Sequence, residues 1–160
     1  MRPGRAERRG VRTFQGVEEL RAAVGEDLGT SSWITVDQKR VDLFADATDD
    51  HQWIHLDAER AAAGPFGGTV AHGFLTVALI PAFGWDTFAV EGVSMTVNYG
   101  MNKVRFPAPV PVGSRVRGHS KLLDVTDVNG GVQATIGGTV EIEDQPKPAC
   151  VAEVVLRYLF

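Results

Sequence analysis

Side chains that can exchange protons near neutral pH are concentrated between residues 44 and 73 of the chain. They include three of its four histidines. The residues of interest are Asp49, Asp50, His51, His55, Asp57 and His72. An apolar run from 74 to 83 follows, and it is long enough for a buried helix. A cluster of acids and imidazoles in front of a core helix indicates a site that is docked on a scaffold.

Three interpretations of this cluster compete, and the first is metal binding. On a helix, His51 and His55 would project from one face because they are four residues apart, and carboxylates lie nearby. However, the neighbouring Asp-Asp and Trp residues favour a turn over a helix. Gln52 and Trp53 also break the H-E-x-x-H metal motif. We therefore predict that the cluster holds no metal.

The second interpretation is structural, since Asp and His side chains in turns often cap helices and satisfy backbone N–H groups. The third is acid–base catalysis. A tight turn can bring Asp50 and His55 onto one water molecule, and each group can take or give a proton. A helix that starts at Phe74 would add free N–H groups, and Gly73 would let a substrate approach its amide. The residues alone leave both interpretations open.

Apolar residues that recur at intervals of three and four predict helices in the first half of the chain. The predicted helices cover residues 13–25, 36–47, 56–63 and 74–83. The chain between Asp49 and His55 is predicted to form a turn or a short loop. Thr35 and Gln38 fit a capping box at the start of the second helix, and Pro81 is expected to end the fourth helix early.

Beyond residue 90, apolar and polar residues alternate with a period of two, which is typical of strands. Asn129 and Gly130 form a hairpin signal between two such runs. We expect four or five antiparallel strands there. Helices first and strands afterwards predict an α+β fold, in which one helix packs against a curved antiparallel sheet.

Size and charge limit the possible classes of protein. The 160 residues predict one domain at 13–160, preceded by a disordered basic extension at 1–12. A net charge of -4 gives no general attraction to nucleic acid. No apolar run reaches transmembrane length, so no membrane partner is expected. The single cysteine allows no intrachain disulfide, and the expected compartment is a reducing cytoplasm.

Three segments resemble a known family, the MaoC-like (R)-specific enoyl-CoA hydratases. The segment A-T-D-D-H-Q-W-I-H-L-D at 47–57 is similar to their hydratase-2 motif. The segment A-H-G-F-L at 71–75 resembles their H-G-[ML] start of the central helix. The segment N-K-V-R-F-P-A-P-V-P-V-G-S-R-V at 102–116 resembles their later strand and proline-rich turn. The variant D-H-Q-W-I-H is most similar to the nodulation protein N-like branch.

The resemblance implies a hot-dog fold, in which an antiparallel β-sheet wraps a central α-helix at about 74–83. It also implies a homodimer whose sheets join edge to edge, with acyl tunnels near the interface. By the same resemblance, Asp50 and His55 are the catalytic pair. The amide of Gly73 would bind the oxygen of the thioester carbonyl.

Other residues have weaker expected roles. Gln52 and His72 would support the site, and Lys103 and Arg105 could contact the phosphates of a CoA or carrier-protein arm. The chain departs from the family pattern at Asp49, Gln52 and Trp53, which replace a glycine, an asparagine and a proline. Pro81 lies where the central helix of the family often has a serine.

The implied function is the reversible syn hydration of a trans-2-enoyl-CoA to a (3R)-3-hydroxyacyl-CoA, with no cofactor besides the thioester itself. One alternative is dehydration of 3-hydroxyacyl chains on a carrier protein, in fatty-acid or polyketide synthesis. Thioester hydrolysis and a non-catalytic acyl-thioester-binding partner subunit are further alternatives. The D-x-x-x-x-H pair argues against hydrolysis, and a binding module has no need for both side chains.

Overall fold

The computed structural model of the chain describes residues 10–160. Most of the predicted basic extension, residues 1–9, therefore lies outside the described residues. The first strand begins at Arg12, at the end of that extension.

Helices and short strands alternate in the first half of the described chain, and four long strands follow. The helices are α1 (Val17–Ala22), α2 (Gln38–Thr48), α3 (Trp53–Leu56), α4 (Ala58–Ala62), α5 (Gly73–Ala78) and α6 (Ile80–Thr87). The strands are β1 (Arg12–Phe14), β2 (Asp27–Thr30), β3 (Ile34–Thr35), β4 (Phe88–Val90), β5 (Met95–Arg105), β6 (Arg115–Val128), β7 (Gly131–Ile142) and β8 (Cys150–Leu159). The predicted change from helices to long strands is confirmed.

The main sheet is antiparallel and has the order β2-β6-β7-β8-β5, with β3 also paired to β6. The predicted hairpin joins β6 to β7, and Gly130 adopts the left-handed φ of 79° that this tight turn requires. Along β7, nearly every second residue is buried, so one face of the sheet is directed to the core.

The central helix, α5 followed by α6, packs against the buried face of the sheet. Phe83 is fully buried there, which stabilises the fold by roughly 2–3 kcal/mol. A Cβ atom at Gly118 would lie 2.5 Å from the Cβ of Phe83, so β6 has a glycine where the helix comes closest to it. The predicted hot-dog architecture, a sheet wrapped around a helix, is confirmed.

The prediction that Pro81 ends the central helix early is wrong, because the helix continues to Thr87. A turn at Leu79 separates α5 from α6, and Pro81 falls in the first positions of α6. The first N–H groups of a helix have no partner within it, so the N–H that proline lacks costs little there.

The predicted helix over 13–25 is wrong in its first part, because Arg12–Phe14 pairs in parallel with Phe88–Val90. Periodicity cannot reveal a strand whose partner is distant in sequence. The predicted capping box is also wrong. The carboxylate of Asp37 caps α2 by accepting the N–H of Arg40 at 2.9 Å, because an aspartate at the N-cap position competes well with threonine.

Candidate active site

A sharp reversal after α2 creates the loop that holds the predicted acid. Asp49 ends α2 with a φ of 58°, in the left-handed region, and the chain then turns back through Asp50 into α3. Aspartate tolerates this conformation better than most residues, although glycine tolerates it best. His55 lies on α3, which corrects the prediction that the whole segment from 49 to 55 is a turn or loop.

Hydrogen bonds to both the backbone and the ring of His55 hold this residue in place. Its ring is 6 % exposed, and its Nδ1 lies 2.6 Å from the carbonyl oxygen of Val70. Since a carbonyl can only accept, Nδ1 carries the proton and Nε2 has a free lone pair. The carbonyl of His55 accepts from Nε2 of Gln38 at 2.8 Å. These contacts fix both the orientation of the ring and its tautomer.

His72 is stacked on His55, with ring centroids 3.7 Å apart and 25° between the planes. It is 2 % exposed, and its Nε2 donates to the carbonyl oxygen of Asp50 at 2.9 Å. Its Nδ1 is enclosed and has no hydrogen-bond partner within residues 10–160. Because a carbonyl can only accept, Nε2 of His72 carries a proton.

The carboxylate of Asp50 is half-exposed, and its Oδ2 lies 3.9 Å from Nε2 of His72. One nitrogen or oxygen atom from each of Asp50, His55 and His72 can be chosen so that all three lie within 4.8 Å of one another. The structure thus brings the predicted acid and imidazole together, with a second imidazole beside them.

Burial lowers the pKa of His55 below the usual imidazole value of 6.5, because charge is poorly solvated in this position. The Val70 carbonyl and the charge of Asp50 act in the opposite direction but more weakly. His51 lies apart from this group, since it is exposed and its Nε2 is 3.0 Å from Oδ1 of Asp46. That hydrogen bond raises the pKa of His51.

Next to His55 is a cavity of about 400 Å³, here named the proximal cavity. Its lining includes His55, Gly73, Thr76 and Phe106. A Cβ atom at Gly73 would lie 3.1 Å from the ring of Phe106, so a side chain at this position would crowd the cavity wall and the ring would have to shift slightly. Gly73 is the first residue of α5, and the amides of a first turn have no partner within the helix.

A second cavity, here named the distal cavity, has a volume of about 270 Å³. It is lined by later positions of the central helix, among them Val77, Pro81 and Gly84. Its other wall comes from β5 and β8 and includes Leu156 and Tyr158. Both cavities thus lie along the central helix, the proximal one at its start and the distal one further along.

The other site residues predicted from the sequence, which all lie in the described part of the chain, make no side-chain hydrogen bond with Asp50, His55 or His72. Gln52 precedes α3 and its side chain makes no capping bond, although its carbonyl accepts the N–H of His55 at 3.0 Å. Lys103 is ion-paired with Glu153 at 3.1 Å. Arg105 is exposed next to Phe106 and has no carboxylate partner within the described residues; its Nη1 donates to a backbone carbonyl.

The donor atoms are poorly arranged for a metal ion. Nδ1 of His55 and Nε2 of His72 both donate to backbone carbonyls, so neither can bind a cation without losing that bond. Nδ1 of His72 is enclosed. The carboxylate of Asp50 and Nε2 of His55 then remain as the available ligands, fewer than the three or four protein ligands of most zinc sites.

Several contributors to the site were missed by sequence reasoning. Val70 acts through its carbonyl, which every residue has, so no signal in the sequence could have identified it. Gln38 was assigned to a capping box, whereas its side chain reaches His55 and Asp42. Phe106 lies in the resembling segment 102–116, but its contact with Gly73 depends on the fold.

Comparison with known proteins shows the family of the chain. The family model described as "MaoC like domain" matches residues 19–144, most of the chain. The chain belongs to the MaoC-like family. It is 61% identical over 150 residues to 3-hydroxyacyl-thioester dehydratase Z of Mycobacterium tuberculosis (strain ATCC 25618 / H37Rv), covering 93% of this chain and 99% of that protein.

Two further MaoC-like comparisons concern a curated relative and a solved structure. Nodulation protein N of Rhizobium meliloti (strain 1021) is 48% identical over 141 residues, covering 85% of this chain and 86% of that protein. The solved structure of an (R)-hydratase from A. caviae involved in PHA biosynthesis has a TM-score of 0.70 at 21% identity, covering 84% of this chain and 96% of that one. At this low sequence identity, the similarity to the (R)-hydratase structure shows a shared fold only.

The MaoC-like chain is a hydro-lyase, an enzyme that adds or removes water. Among residues 10–160, no helix combines the length and the apolar character needed to span a bilayer.

Proposed function

We propose that this MaoC-like enzyme interconverts a trans-2-enoyl thioester and a 3-hydroxyacyl thioester by syn addition or removal of water. The observation that carries the proposal is the convergence of Asp50 and His55 beside a cavity that Gly73 also lines, with Nδ1 of His55 already bonded to the carbonyl of Val70 and Nε2 left as its basic atom. A carboxylate and a neutral imidazole can hold and activate one water molecule.

In the hydration direction, Nε2 of His55 takes a proton from the water as its oxygen bonds to C3. The electron pair of the C2=C3 bond moves onto the thioester as an enolate. The imidazolium then returns the same proton to C2 on the same face, which makes the addition syn. Asp50 orients the water and stabilises the transient positive charge on His55. Dehydration follows the same steps in reverse.

The enolate oxygen needs a hydrogen-bond donor that is already in position. The N–H of Gly73 is our candidate, and donors of this kind are worth on the order of 3 kcal/mol in other enzymes. The thioester itself acidifies C2, so the step requires no metal and no redox cofactor. His72 acts as a positioning residue, because its Nε2–H holds the carbonyl of Asp50 and its ring stacks on His55.

We place the acyl tail of the substrate in the two cavities along the central helix. Both are lined mainly by apolar side chains, as a hydrocarbon chain requires. The CoA or carrier-protein arm would leave past Phe106, where the exposed guanidinium of Arg105 can meet a phosphate. Lys103 is a weaker candidate because Glu153 already neutralises its charge.

We infer that hydration of a trans-2-enoyl-CoA to a (3R)-3-hydroxyacyl-CoA is the activity to test first. A second candidate is dehydration of a 3-hydroxyacyl thioester on CoA or on a carrier protein. It is favoured by the name of the 61% identical relative, 3-hydroxyacyl-thioester dehydratase Z. The chemistry is the same in both directions, so the carrier and the direction distinguish the two candidates.

We also propose that the working enzyme is a homodimer. In the described chain, β5 pairs with β8 on one side only and forms an open edge of 11 residues. Exposed Met95 and Tyr99 lie on it. Natural proteins seldom leave a long edge of this kind uncovered, and antiparallel pairing with β5 of a second copy would cover it.

The first experiment is a hydration assay with crotonyl-CoA. Loss of the enoyl absorbance measures the rate, and chiral analysis of the product tests the (3R) configuration. We expect Asp50→Asn and His55→Gln each to lower kcat by at least about a hundredfold, because His55 transfers the proton while Asp50 orients the water and stabilises the charge on His55. His51→Gln is the matched control, and we expect it to keep the wild-type rate because His51 faces solvent beside Asp46.

Two results would contradict the proposal. Release of free CoA without hydration would identify a thioesterase. Wild-type rates in both Asp50→Asn and His55→Gln would mean that the catalytic pair lies elsewhere.

A further inference from the structure

Two almost fully buried hydroxyl groups line the distal cavity, and an apolar tail would not need them. The lining is mainly apolar and includes the more exposed Thr96 and Asn98 on β5, but the buried pair is Ser120 on β6 and Tyr158 on β8. They are 6 % and 3 % exposed, so both side chains are almost fully removed from bulk solvent.

Neither hydroxyl has a hydrogen-bond partner within the described part of the chain. No other side chain or backbone group of residues 10–160 forms a hydrogen bond with Oγ of Ser120 or Oη of Tyr158. Nδ1 of His72 is the only fully enclosed side-chain polar atom without a partner in that range, so both hydroxyls are open to the cavity. Burial raises the pKa of Tyr158, which keeps its hydroxyl protonated and able to donate.

An unpaired hydroxyl in an apolar cavity destabilises the folded protein unless water or a ligand bonds to it. A saturated hydrocarbon tail would expel that water and leave both groups without a partner. Their neighbours on the same face of the sheet, such as Leu122 and Val154, are aliphatic. Alanine and phenylalanine would fill nearly the same space as Ser120 and Tyr158 without this cost.

We propose that the distal cavity binds an acyl tail that carries an oxygen substituent, a hydroxyl or a carbonyl, which hydrogen-bonds with Tyr158 and Ser120. This inference rests on the proposed hydro-lyase function and narrows its substrate class to oxygenated acyl thioesters. The reacting carbons stay beside His55 in the proximal cavity, and the substituent lies further along the central helix.

The test compares tails that differ in one oxygen atom. Hydration of trans-2-decenoyl-CoA is measured beside a series of the same chain in which one hydroxyl is moved along the distal half. For the wild-type enzyme, we expect at least one hydroxylated member to exceed the plain chain in kcat/KM by about tenfold. Tyr158→Phe and Ser120→Ala should each reduce that ratio, and the double variant should bring it to about one.

A matched control is Tyr99→Phe, which removes the other tyrosine hydroxyl of the chain from an exposed position outside the cavity. We expect it to keep the wild-type ratio.

The possible outcomes separate this inference from the function on which it rests. If crotonyl-CoA and all longer chains remain unhydrated, the proposed function fails and the inference fails with it. If every chain is hydrated but no hydroxylated member is preferred, the function stands and the inference is wrong, because water or a second copy of the chain then satisfies the two hydroxyls. A preference that survives in the double variant also overturns the inference.

Discussion

At the scale of single residues, the site depends on which nitrogen of His55 carries the proton. The short contact from Nδ1 to the carbonyl of Val70 fixes this tautomer, so Nε2 is free to act as a base. Val70 is itself held by its bridge to Pro111 and by the bond from its N–H to the carbonyl of Ile54. Contacts among three backbone segments therefore hold the ring of His55 in one tautomer at the wall of the proximal cavity.

The first prediction concerns the pH dependence of activity. Burial disfavours the charged form of His55, so its pKa lies below 6.5 and the neutral, basic ring persists to lower pH than in an exposed histidine. We expect kcat/KM for crotonyl-CoA to hold as pH falls through 6.5 and to decrease only below it. An acidic limb centred above 6.5 would contradict this assignment. A profile of kcat/KM against pH, with enzyme integrity checked at each pH, decides the matter.

The second prediction separates the hydrogen bond of His72 from its bulk. In His72→Gln the side-chain amide can reach the position of Nε2 and donate to the carbonyl of Asp50, whereas in His72→Asn it cannot. We expect His72→Asn to lower kcat by about tenfold with KM within about twofold, since misplacement of a catalytic group mainly slows the chemical step. His72→Gln should recover most of that loss.

If His72 had only a structural role, its two variants would lose activity and thermal stability together. If the two variants lose activity equally, in step with their melting temperatures, His72 serves the fold and does not position Asp50. Both variants remove the ring stacked on His55, so the acidic limb of the pH profile should move towards 6.5 in each.

At the scale of elements, the central helix organises both the chemistry and the space for the substrate. Gly73 opens the helix beside His55, and Gly84 lies on the wall of the distal cavity. The two glycines are 11 residues apart, which corresponds to about 16 Å along a helix axis. A Cβ atom at Gly84 would lie 3.9 Å from its nearest neighbour, a ring atom of Phe88, so there is room at this position.

The third prediction uses that room. Leucine at position 84 would occupy part of the 270 Å³ distal cavity, while the helix would gain from losing a glycine. We expect Gly84→Leu to lower kcat/KM for trans-2-decenoyl-CoA by at least about tenfold and to leave crotonyl-CoA hydration within about twofold. Gly84→Ala is the smaller control and should have an intermediate effect on the long chain. Equal losses for both substrates would mean that the tail does not use the distal cavity.

At the scale of the whole molecule, the open edge of β5 is the feature that most needs a partner. It continues into Phe106, which contacts Gly73 at the proximal cavity, so a second copy on this edge would also stiffen the wall of the site. The opposite side of the sheet is better protected, because β2 and β3 are short and lie one after the other along β6.

The fourth prediction is that the 17.3 kDa chain forms a dimer in solution. Sedimentation equilibrium over a range of concentrations should give twice the mass of the chain at micromolar protein, since an edge that carries apolar side chains favours pairing. A monomer that is fully active at assay concentrations would contradict the dimer and leave the rest of the proposal intact.

The sequence by itself determined the features that depend on neighbouring residues. The period-two pattern beyond residue 90 gave the long antiparallel strands, and the apolar run after Gly73 gave the central helix. The spacing of Asp50 and His55, together with the resembling segments, gave the family and the class of reaction. These signals are local, so a linear chain displays them.

Tertiary structure decided what depends on contacts between distant segments. Only the folded chain brings the carbonyl of Val70 to His55 and stacks His72 on its ring, which fixes a tautomer and lowers a pKa. Likewise, Ser120 and Tyr158 are ordinary strand residues in the sequence. They became candidates for substrate recognition only because the folded sheet places both at the wall of one cavity. The physical reason is that burial, hydrogen-bond pairing and cavity shape are set by groups far apart along the chain.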